Sequence, residues 1–157
     1  MEKNWAVQDF YPEELSHCYG CGSQNEHGYQ LKTYWEGDET VSRVTPRDYH
    51  TAIPGYVYGG FLASIIDCHG TGSAAAAMYR AENRPMDSLP AFRFVTASLQ
   101  VNYLKPTPIG VELEVRGRIK SIKGRKVLVE ASVYANGLET VKGEILAVQM
   151  PDSFLSK

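Results

Sequence analysis

The sequence lacks several features that would place the chain in a specialised class of protein. Its 157 residues carry a formal net charge of only −2, so nothing global attracts nucleic acid or an anionic membrane surface. Three cysteines are an odd count for a disulfide framework, and they suit a reducing compartment. The first residues contain an early acid and no apolar core run, so no secretory signal is expected. We therefore expect a cytoplasmic protein that has neither a nucleic-acid nor a membrane partner.

What remains is the composition of one ordinary globular domain. The residues are 43% hydrophobic and 22% charged, and 157 residues suffice for one sizeable core. Glycine and proline punctuation predicts three parts: an irregular N-terminal arm at residues 1–28, a single domain at 29–150 and a C-terminal tail at 151–157.

The segment at residues 59–79 has very few charged residues, and this predicts more about the structure than the overall composition does. Between Gly59 and Tyr79 there is no Lys, Arg or Glu, and a helix that is apolar nearly all round is a buried one. About 20 weakly polar residues would suffice to cross a bilayer, but Asp67, His69 and four glycines argue for a helix inside a soluble protein. A carboxylate in a buried helix is costly unless it is paired, and carboxylates with chemical roles collect at such sites. Asp67 is therefore a candidate functional residue.

The start of this helix offers a second candidate group. The first amides of a helix have no internal acceptor, and Gly59 and Gly60 would let a carbonyl oxygen or a phosphate approach them closely. Asp67 lies about two turns further along nearly the same face, and Thr71 follows at a spacing that allows a hydrogen bond to the carboxylate. This arrangement suits hydrolysis of an activated acyl group. A tight entry turn and a satisfied buried carboxylate remain the structural alternative.

Alternating apolar residues predict strands on both sides of the helix, which itself should end near Arg80. The last four should form an antiparallel meander, and the helix is the only element available to cover its apolar face. Asn136-Gly137 is a favoured hairpin turn between two of them. The result is an α+β fold, with strands predicted at residues 29–36, 40–45, 92–104, 111–122, 127–134 and 140–150.

The motif Pro54-Gly-x-Val-x-Gly-Gly-x(6)-Asp67, together with this strand order, resembles the hotdog-fold thioesterases. It is most similar to the branch that contains phenylacetate-degradation thioesterases and small acyl-CoA hydrolases. The segment Cys18-Tyr-Gly-Cys21-Gly-x(4)-His27-Gly28 also resembles a leader found in many of these proteins. The resemblance covers about residues 29–150. It implies a hotdog fold, in which a curved antiparallel sheet wraps a long central helix and two subunits pair their sheets edge to edge. The expected assembly is a homodimer, with a dimer of dimers also open.

The resemblance also implies roles for individual residues. Asp67 would act on the thioester as general base or as nucleophile, and the amide of Gly59, with Gly60 beside it, would polarise the carbonyl. These groups often come from different subunits of the dimer. Thr71 matches a helical position that supports the carboxylate or the water. Tyr58 stands where the family commonly has His.

Other residues are candidates for binding the substrate. His50 precedes the motif by a short loop where relatives carry a polar residue near the thioester, although a loop histidine is often only solvated. The small side chains of Ala63, Ser64 and Ala74 would leave room for an acyl chain. Lys123 and Arg125 are the best candidates for coenzyme A phosphates, in a basic cluster that a solvated hairpin would also explain; its other members are Lys105, Lys120 and Lys126.

The pair Cys18 and Cys21, with His17 and His27 nearby, raises the question of zinc. A structural zinc site usually needs four ligands, and only one clean pair is present, so we expect an ordered arm with buried thiols and no metal. A redox role is disfavoured because no thioredoxin-like βαβ unit surrounds the pair. His69 points to a different face from Asp67 and is expected to pack in the core.

Together these observations favour an acyl-CoA thioesterase that releases a carboxylic acid and free coenzyme A. Coenzyme A would enter only as part of the substrate, and no metal or organic cofactor is required. The alternative is a non-catalytic hotdog protein that binds acyl groups or acyl-CoA, which the Tyr58 departure permits. A hotdog dehydratase ranks lower because His69 is too close to Asp67 in sequence to face the same pocket.

Overall fold

A computed structural model describes residues 4–154 of the chain. One long helix packs against a six-stranded antiparallel sheet, which confirms the predicted α+β hotdog architecture. The helix α1 spans Gly59–Ala81, and short 3₁₀ turns cover Val7–Phe10, Glu13–Leu15 and Asp152–Phe154. The strands are β1 (Tyr34–Glu36), β2 (Glu39–Val44), β3 (Phe94–Tyr103), β4 (Leu113–Lys123), β5 (Lys126–Ala135) and β6 (Leu138–Gln149).

The order of strands across the sheet is β1-β2-β4-β5-β6-β3, so the predicted four-strand meander is wrong. Tight turns make β4, β5 and β6 consecutive neighbours, and the turn at Asn136 (φ 52°) and Gly137 (φ 77°) has the left-handed backbone that a two-residue hairpin requires. β3 instead pairs with β6, at the far edge of the sheet. No tight turn joins β3 to β4. Residues 104–112 connect the two strands, which therefore need not be neighbours in the sheet.

The first strand is shorter than predicted because the arm takes its hydrogen bonds. The amides of Tyr29 and Leu31 donate to the carbonyls of Tyr19 and Gly20, and Gln30 between them has a positive φ of 50°, so residues 29–33 follow the arm and do not join the sheet. The amide of Val7 likewise donates to the carbonyl of Thr33.

The arm also packs on α1 and buries part of its surface. Ala6, Val7 and Gln8 are buried, and the Gln8 amide nitrogen donates to Thr33 Oγ1 at 3.1 Å. A Cβ added at Gly72 would lie 2.5 Å from that nitrogen, so glycine permits the arm to approach the helix. The sheet and the arm together thus cover most of the helix. Among residues 4–154 no helix is both long and apolar enough to cross a membrane.

His69 lies in the core, as predicted. Its ring nitrogens hydrogen-bond with Ser42 Oγ at 2.6 Å and Thr40 Oγ1 at 3.0 Å, and the residue is fully buried. Burial lowers the pKa of His69 to about 3, so the imidazole is neutral at ordinary pH. This histidine tethers α1 to β2 and is not available to act beside Asp67.

Candidate active site

One strip of α1 is left partly exposed within an otherwise buried helix. Its members are spaced so that they share one face over the first turns of the helix: Gly59, Gly60, Ala63, Ser64 and Asp67. The strip contains the predicted helix-start glycines and the predicted carboxylate. It corrects the expectation of a buried Asp67, because the elements of the same chain cover this face only in part. Ala74, expected to leave room for an acyl chain, lies fully buried in the core instead.

Asp67 has a hydrogen-bond partner that the sequence did not reveal. The hydroxyl of Thr96, on β3, donates to Asp67 Oδ1. Thr71, the predicted partner, donates to the carbonyl of Cys68 at 3.2 Å, within its own helix. Thr96 lies 29 residues from Asp67 in the chain, so no local spacing in the sequence connects the two residues.

The helix start lies between two tyrosines. Tyr58 occupies the N-cap position without capping the helix through its side chain, and a Cβ added at Gly60 would overlap its ring. The hydroxyl of Tyr103, on β3, donates to the carbonyl of Gly59 at 2.7 Å. Burial, with a smaller contribution from Tyr58, raises the pKa of Tyr103, so this phenol remains a donor. The two glycines therefore make room for phenol rings at the mouth of the helix.

His50 connects the preceding loop to the helix start. Its ring stacks on Phe61 with 4.4 Å between ring centroids, and its Nδ1 accepts a hydrogen bond from the Arg47 amide at 2.9 Å. Its carbonyl accepts from the Tyr58 amide at 2.8 Å. Burial and the charge of Arg47 lower the pKa of His50, so the ring is neutral at neutral pH. A cleft of about 460 Å³ opens beside it, lined by residues that include Tyr29, Arg43, Arg47, Tyr49 and Phe61.

The remaining predicted binding residues lie apart from the helix start. Ser64 is on the strip, and its hydroxyl donates to the Phe61 carbonyl at 2.7 Å. Lys123 and Arg125 are exposed at the turn between β4 and β5, and the Arg125 guanidinium donates to the carbonyl of Met150 at 3.2 Å.

The sheet register places this basic turn near Asp67. Lys126 pairs with Val148, and Val148 pairs on its other side with Val95. Two strand spacings, about 10 Å, therefore separate the end of the turn from the residue beside Thr96. The basic turn and the Asp67–Thr96 pair share one end of the sheet, whereas Tyr103 and Gly59 share the other.

The carboxylate and the helix-start amides of one chain are too far apart to act on the same carbonyl group. Seven residues at 1.5 Å each separate Gly60 from Asp67, which is about 10 Å along the helix axis. An oxyanion donor must lie about 3 Å from the oxygen that it stabilises. Joint action of these groups therefore requires the amide of one chain and the carboxylate of another.

Comparisons with known proteins agree with this fold and motif. A family model described as the thioesterase superfamily matches residues 54–142. The acyl-coenzyme A thioesterase THEM4 of Mus musculus is 30% identical over 123 residues, which cover 77% of this chain and 47% of that protein. The chain thus spans less than half the length of the curated relatives it matches.

Solved structures give the same result. A thioesterase superfamily protein from Shewanella loihica is 50% identical, with a TM-score of 0.66 over 81% of this chain and 96% of that one. A phenylacetic acid degradation-related protein from Ralstonia eutropha is 16% identical, with a TM-score of 0.64 over 76% of this chain and 85% of that one. At that identity the second similarity demonstrates a shared fold alone.

Proposed function

The chain belongs to the thioesterase superfamily, and from this premise we propose that it is an acyl-coenzyme A thioesterase. Water would cleave the C–S bond of acyl-CoA, giving a carboxylic acid and coenzyme A with a free thiol. The observation that supports this most directly is the accessible strip of α1, which carries both the helix-start amides and Asp67. The name of the mouse relative supports the same substrate class. The proposed reaction uses no metal or organic cofactor.

The helix-start amides would stabilise the charge that develops on the thioester oxygen. The amide of Gly59 or Gly60 points out of the helix with the positive end of its dipole. In other acyl-transfer enzymes one such donor is worth roughly 2.7–4 kcal/mol of transition-state stabilisation. Gly59 suits this role because an incoming carbonyl meets no Cβ there, whereas at Gly60 the ring of Tyr58 occupies the space that a Cβ would take.

Asp67 would either activate the attacking water or itself attack the carbonyl carbon. As a general base it takes a proton from the water that attacks the carbonyl carbon; as a nucleophile it forms an acyl anhydride that water then hydrolyses. In both routes the electron pair of the C–S bond leaves with the sulfur, which gains a proton. Thr96, by donating to Oδ1, would hold the carboxylate in one orientation and leave Oδ2 toward the substrate.

A dimer that pairs its β3 strands would bring these groups together. β3 forms one edge of the sheet, most of its residues are exposed, and an unpaired edge is a template for association. The exposed strip of α1 adjoins the same strand through Asp67–Thr96 and Gly59–Tyr103. A second subunit laid on this edge would cover the strip and place its own Gly59 opposite Asp67. The basic turn with Lys123 and Arg125 would then hold the coenzyme A phosphates, and Ala63 and Ser64 would border the acyl chain.

One observation favours a second candidate, a protein that binds acyl-CoA without hydrolysing it. The Tyr58 ring covers Gly60, and a phenol is a poor base at neutral pH where the family commonly has His. A dehydratase has no such support, because His69 is engaged with Thr40 and Ser42 in the core.

The decisive experiment is thiol release from a panel of acyl-CoAs that differ in chain length and in aromatic or aliphatic character. We expect turnover on at least one member, with saturation kinetics. Binding of the same compounds by calorimetry without thiol release would replace the hydrolase with the binding protein. If no member of the panel is either hydrolysed or bound, both proposals are contradicted.

A further inference from the structure

The fold brings all three cysteines of the chain together. Cys18 and Cys21 lie in the arm, and Cys68, fifty residues after Cys18, lies in α1. Their sulfur atoms all lie within 4.8 Å of one another, and those of Cys18 and Cys68 are 3.7 Å apart. The sequence alone showed one pair, which is too few ligands for a structural metal. The third ligand atom comes only from tertiary packing.

The spacing of the sulfur atoms fits a shared metal ion better than a disulfide. A zinc–thiolate bond of about 2.3 Å in tetrahedral geometry places two sulfurs about 3.8 Å apart, close to the Cys18–Cys68 distance. A disulfide requires about 2.05 Å between the sulfurs.

The backbone around the cluster is shaped to hold it. The Gly22 amide donates to the Cys18 carbonyl at 2.8 Å, which closes a tight turn between Cys18 and Cys21. A Cβ added at Gly20 would overlap the sulfur of Cys68, so only glycine lets the loop close over the helix. The Cys18-x-x-Cys21 spacing is one that zinc sites use.

Two further groups, Tyr11 and Arg93, lie close enough to the cysteines to interact with them electrostatically. Tyr11 Oη is buried and, among residues 4–154, is the one buried side-chain nitrogen or oxygen without a hydrogen-bond partner. Such an orphan in a native core calls for an explanation, and an unseen ion or its bound water is one. Arg93 lies over the Tyr11 ring with its guanidinium carbon 4.8 Å from the centroid. Zn²⁺ with three thiolates carries a charge of +2 − 3 = −1, which the Arg93 cation would balance.

We infer that Cys18, Cys21 and Cys68 form a structural site for a soft cation, Zn²⁺ in the first instance, that fastens the arm to α1. Zinc sites are four-coordinate, so a water would complete the ligand set, and that water would offer a hydrogen-bond partner to the buried Tyr11 Oη. The ion takes no part in hydrolysis. It fixes the residue next to Asp67, so its role is to hold the helix and the arm in register.

Metal binding is tested on the full reduced chain after chelation. Zn²⁺ titrated in competition with a chromophoric chelator should bind at one ion per chain, and should protect three thiols from a thiol-reactive dye. Co²⁺ in its place should give sulfur-to-metal charge-transfer absorption, which a three-thiolate site predicts to fall by about a third on loss of one ligand. Absence of stoichiometric binding by the wild-type chain would overturn the inference, whatever the variants do.

Matched variants separate the thiol site from adventitious binding. Cys18→Ser should weaken Zn²⁺ binding at least about 100-fold, more than outer contacts are worth, and should abolish the zinc-dependent rise in the thermal midpoint. His17→Ala is the control, because His17 adjoins Cys18 in the chain but is not part of the cluster. Equal zinc affinity in Cys18→Ser and wild type, or loss of affinity in His17→Ala, would refute the three-thiol assignment. So would a stable Cys18–Cys68 disulfide in protein purified without reductant.

Discussion

Thr96 donates a hydrogen bond to the carboxylate of Asp67 and thereby joins the edge strand β3 to the accessible strip of α1. Asp67 is partly exposed and Thr96 is exposed, so the pair lies at the surface of the single chain. A polar pair of this kind beside an open strand edge is where a second subunit would complete a site.

Asp67→Asn should leave the fold intact and lower kcat by about 10²–10⁴, because the amide keeps the shape of the side chain but is neither a base nor a nucleophile. Steady-state thiol release on the best acyl-CoA measures the effect. Circular dichroism and the thermal midpoint serve as controls for folding. A kcat near that of wild type would exclude Asp67 from the chemistry.

Thr96→Val should lower kcat about tenfold, or about 1.4 kcal/mol, because the carboxylate loses the hydrogen bond that orients it. Thr96→Ser keeps the hydroxyl and should remain within about threefold of wild type by the same reasoning. KM for acyl-CoA should change little in either variant, which distinguishes positioning of Asp67 from substrate binding. Equal losses in the Ser and Val variants would show that the methyl group matters instead of the hydroxyl.

If the chain pairs through β3 as proposed, Leu99→Lys should leave it monomeric and inactive, since a charge on an edge strand opposes edge-to-edge pairing. Leu99 is 39% exposed on β3. Ile122→Lys is the matched control, because Ile122 is 38% exposed but lies on β4, inside the sheet. Light scattering at micromolar concentration measures the assembly. A wild-type monomer with full activity would contradict the composite site.

Replacing Lys123 and Arg125 together by Ala should raise KM for acyl-CoA without changing KM for a short thioester that lacks the nucleotide. The phosphates would lose exposed cationic partners, so raising the salt concentration should mimic the change in the wild-type protein. The double variant Lys32→Ala and Lys142→Ala removes two charges elsewhere and should leave KM unaltered. If KM rises equally for both substrates, the phosphates bind at another place.

The free energy of unfolding should fall as the pH drops below about 6.5, the ordinary pKa of histidine in an unfolded chain. Burial holds the pKa of His69 at about 3 in the folded protein, so the unfolded state binds the extra proton and gains stability in acid. This contribution is complete above pH 6.5 and is lost progressively toward pH 3. From pH 6.5 to pH 5 the loss is about 2 kcal/mol, at 1.4 kcal/mol per pH unit.

Denaturant unfolding at pH 6.5 and pH 5 measures this dependence. His69→Gln should remove about 2 kcal/mol of the difference between the two pH values by the same linkage, whatever its absolute stability. His27→Gln, at a surface histidine, should keep the wild-type dependence. An unchanged slope in His69→Gln would mean that other groups cause the acid sensitivity.

Much of the fold was readable from local sequence features. The uncharged run predicted a buried helix, which begins at Gly59 and ends at Ala81, one residue past the predicted Arg80. Asn136-Gly137 predicted its hairpin, since few residues other than Asn and Gly adopt the left-handed backbone of that turn. These features succeed because each depends on residues close together in the chain.

The candidate site was only partly readable. The spacing of Gly59, Gly60 and Asp67 predicted a shared helix face, and the structure places them on one strip. The residues that hydrogen-bond to that strip, Thr96 and Tyr103, lie on β3. The alternation of apolar residues in β3 predicts a strand but does not indicate these contacts. Roles for all of these residues in hydrolysis remain predictions.

The sequence by itself determined which segments form the helix and the strands, where the tight turns lie and to which family the chain belongs. These properties depend on periodicity, turn chemistry and motif, all of which are local. Only the tertiary structure decided that β3 pairs with β6 and not with β4. It also decided that Thr96 donates a hydrogen bond to Asp67, and that the sulfur of Cys68 lies beside those of Cys18 and Cys21. Each of these contacts joins residues far apart in the chain, and it forms because closing long loops buries apolar surface and satisfies backbone groups. No single segment carries that information.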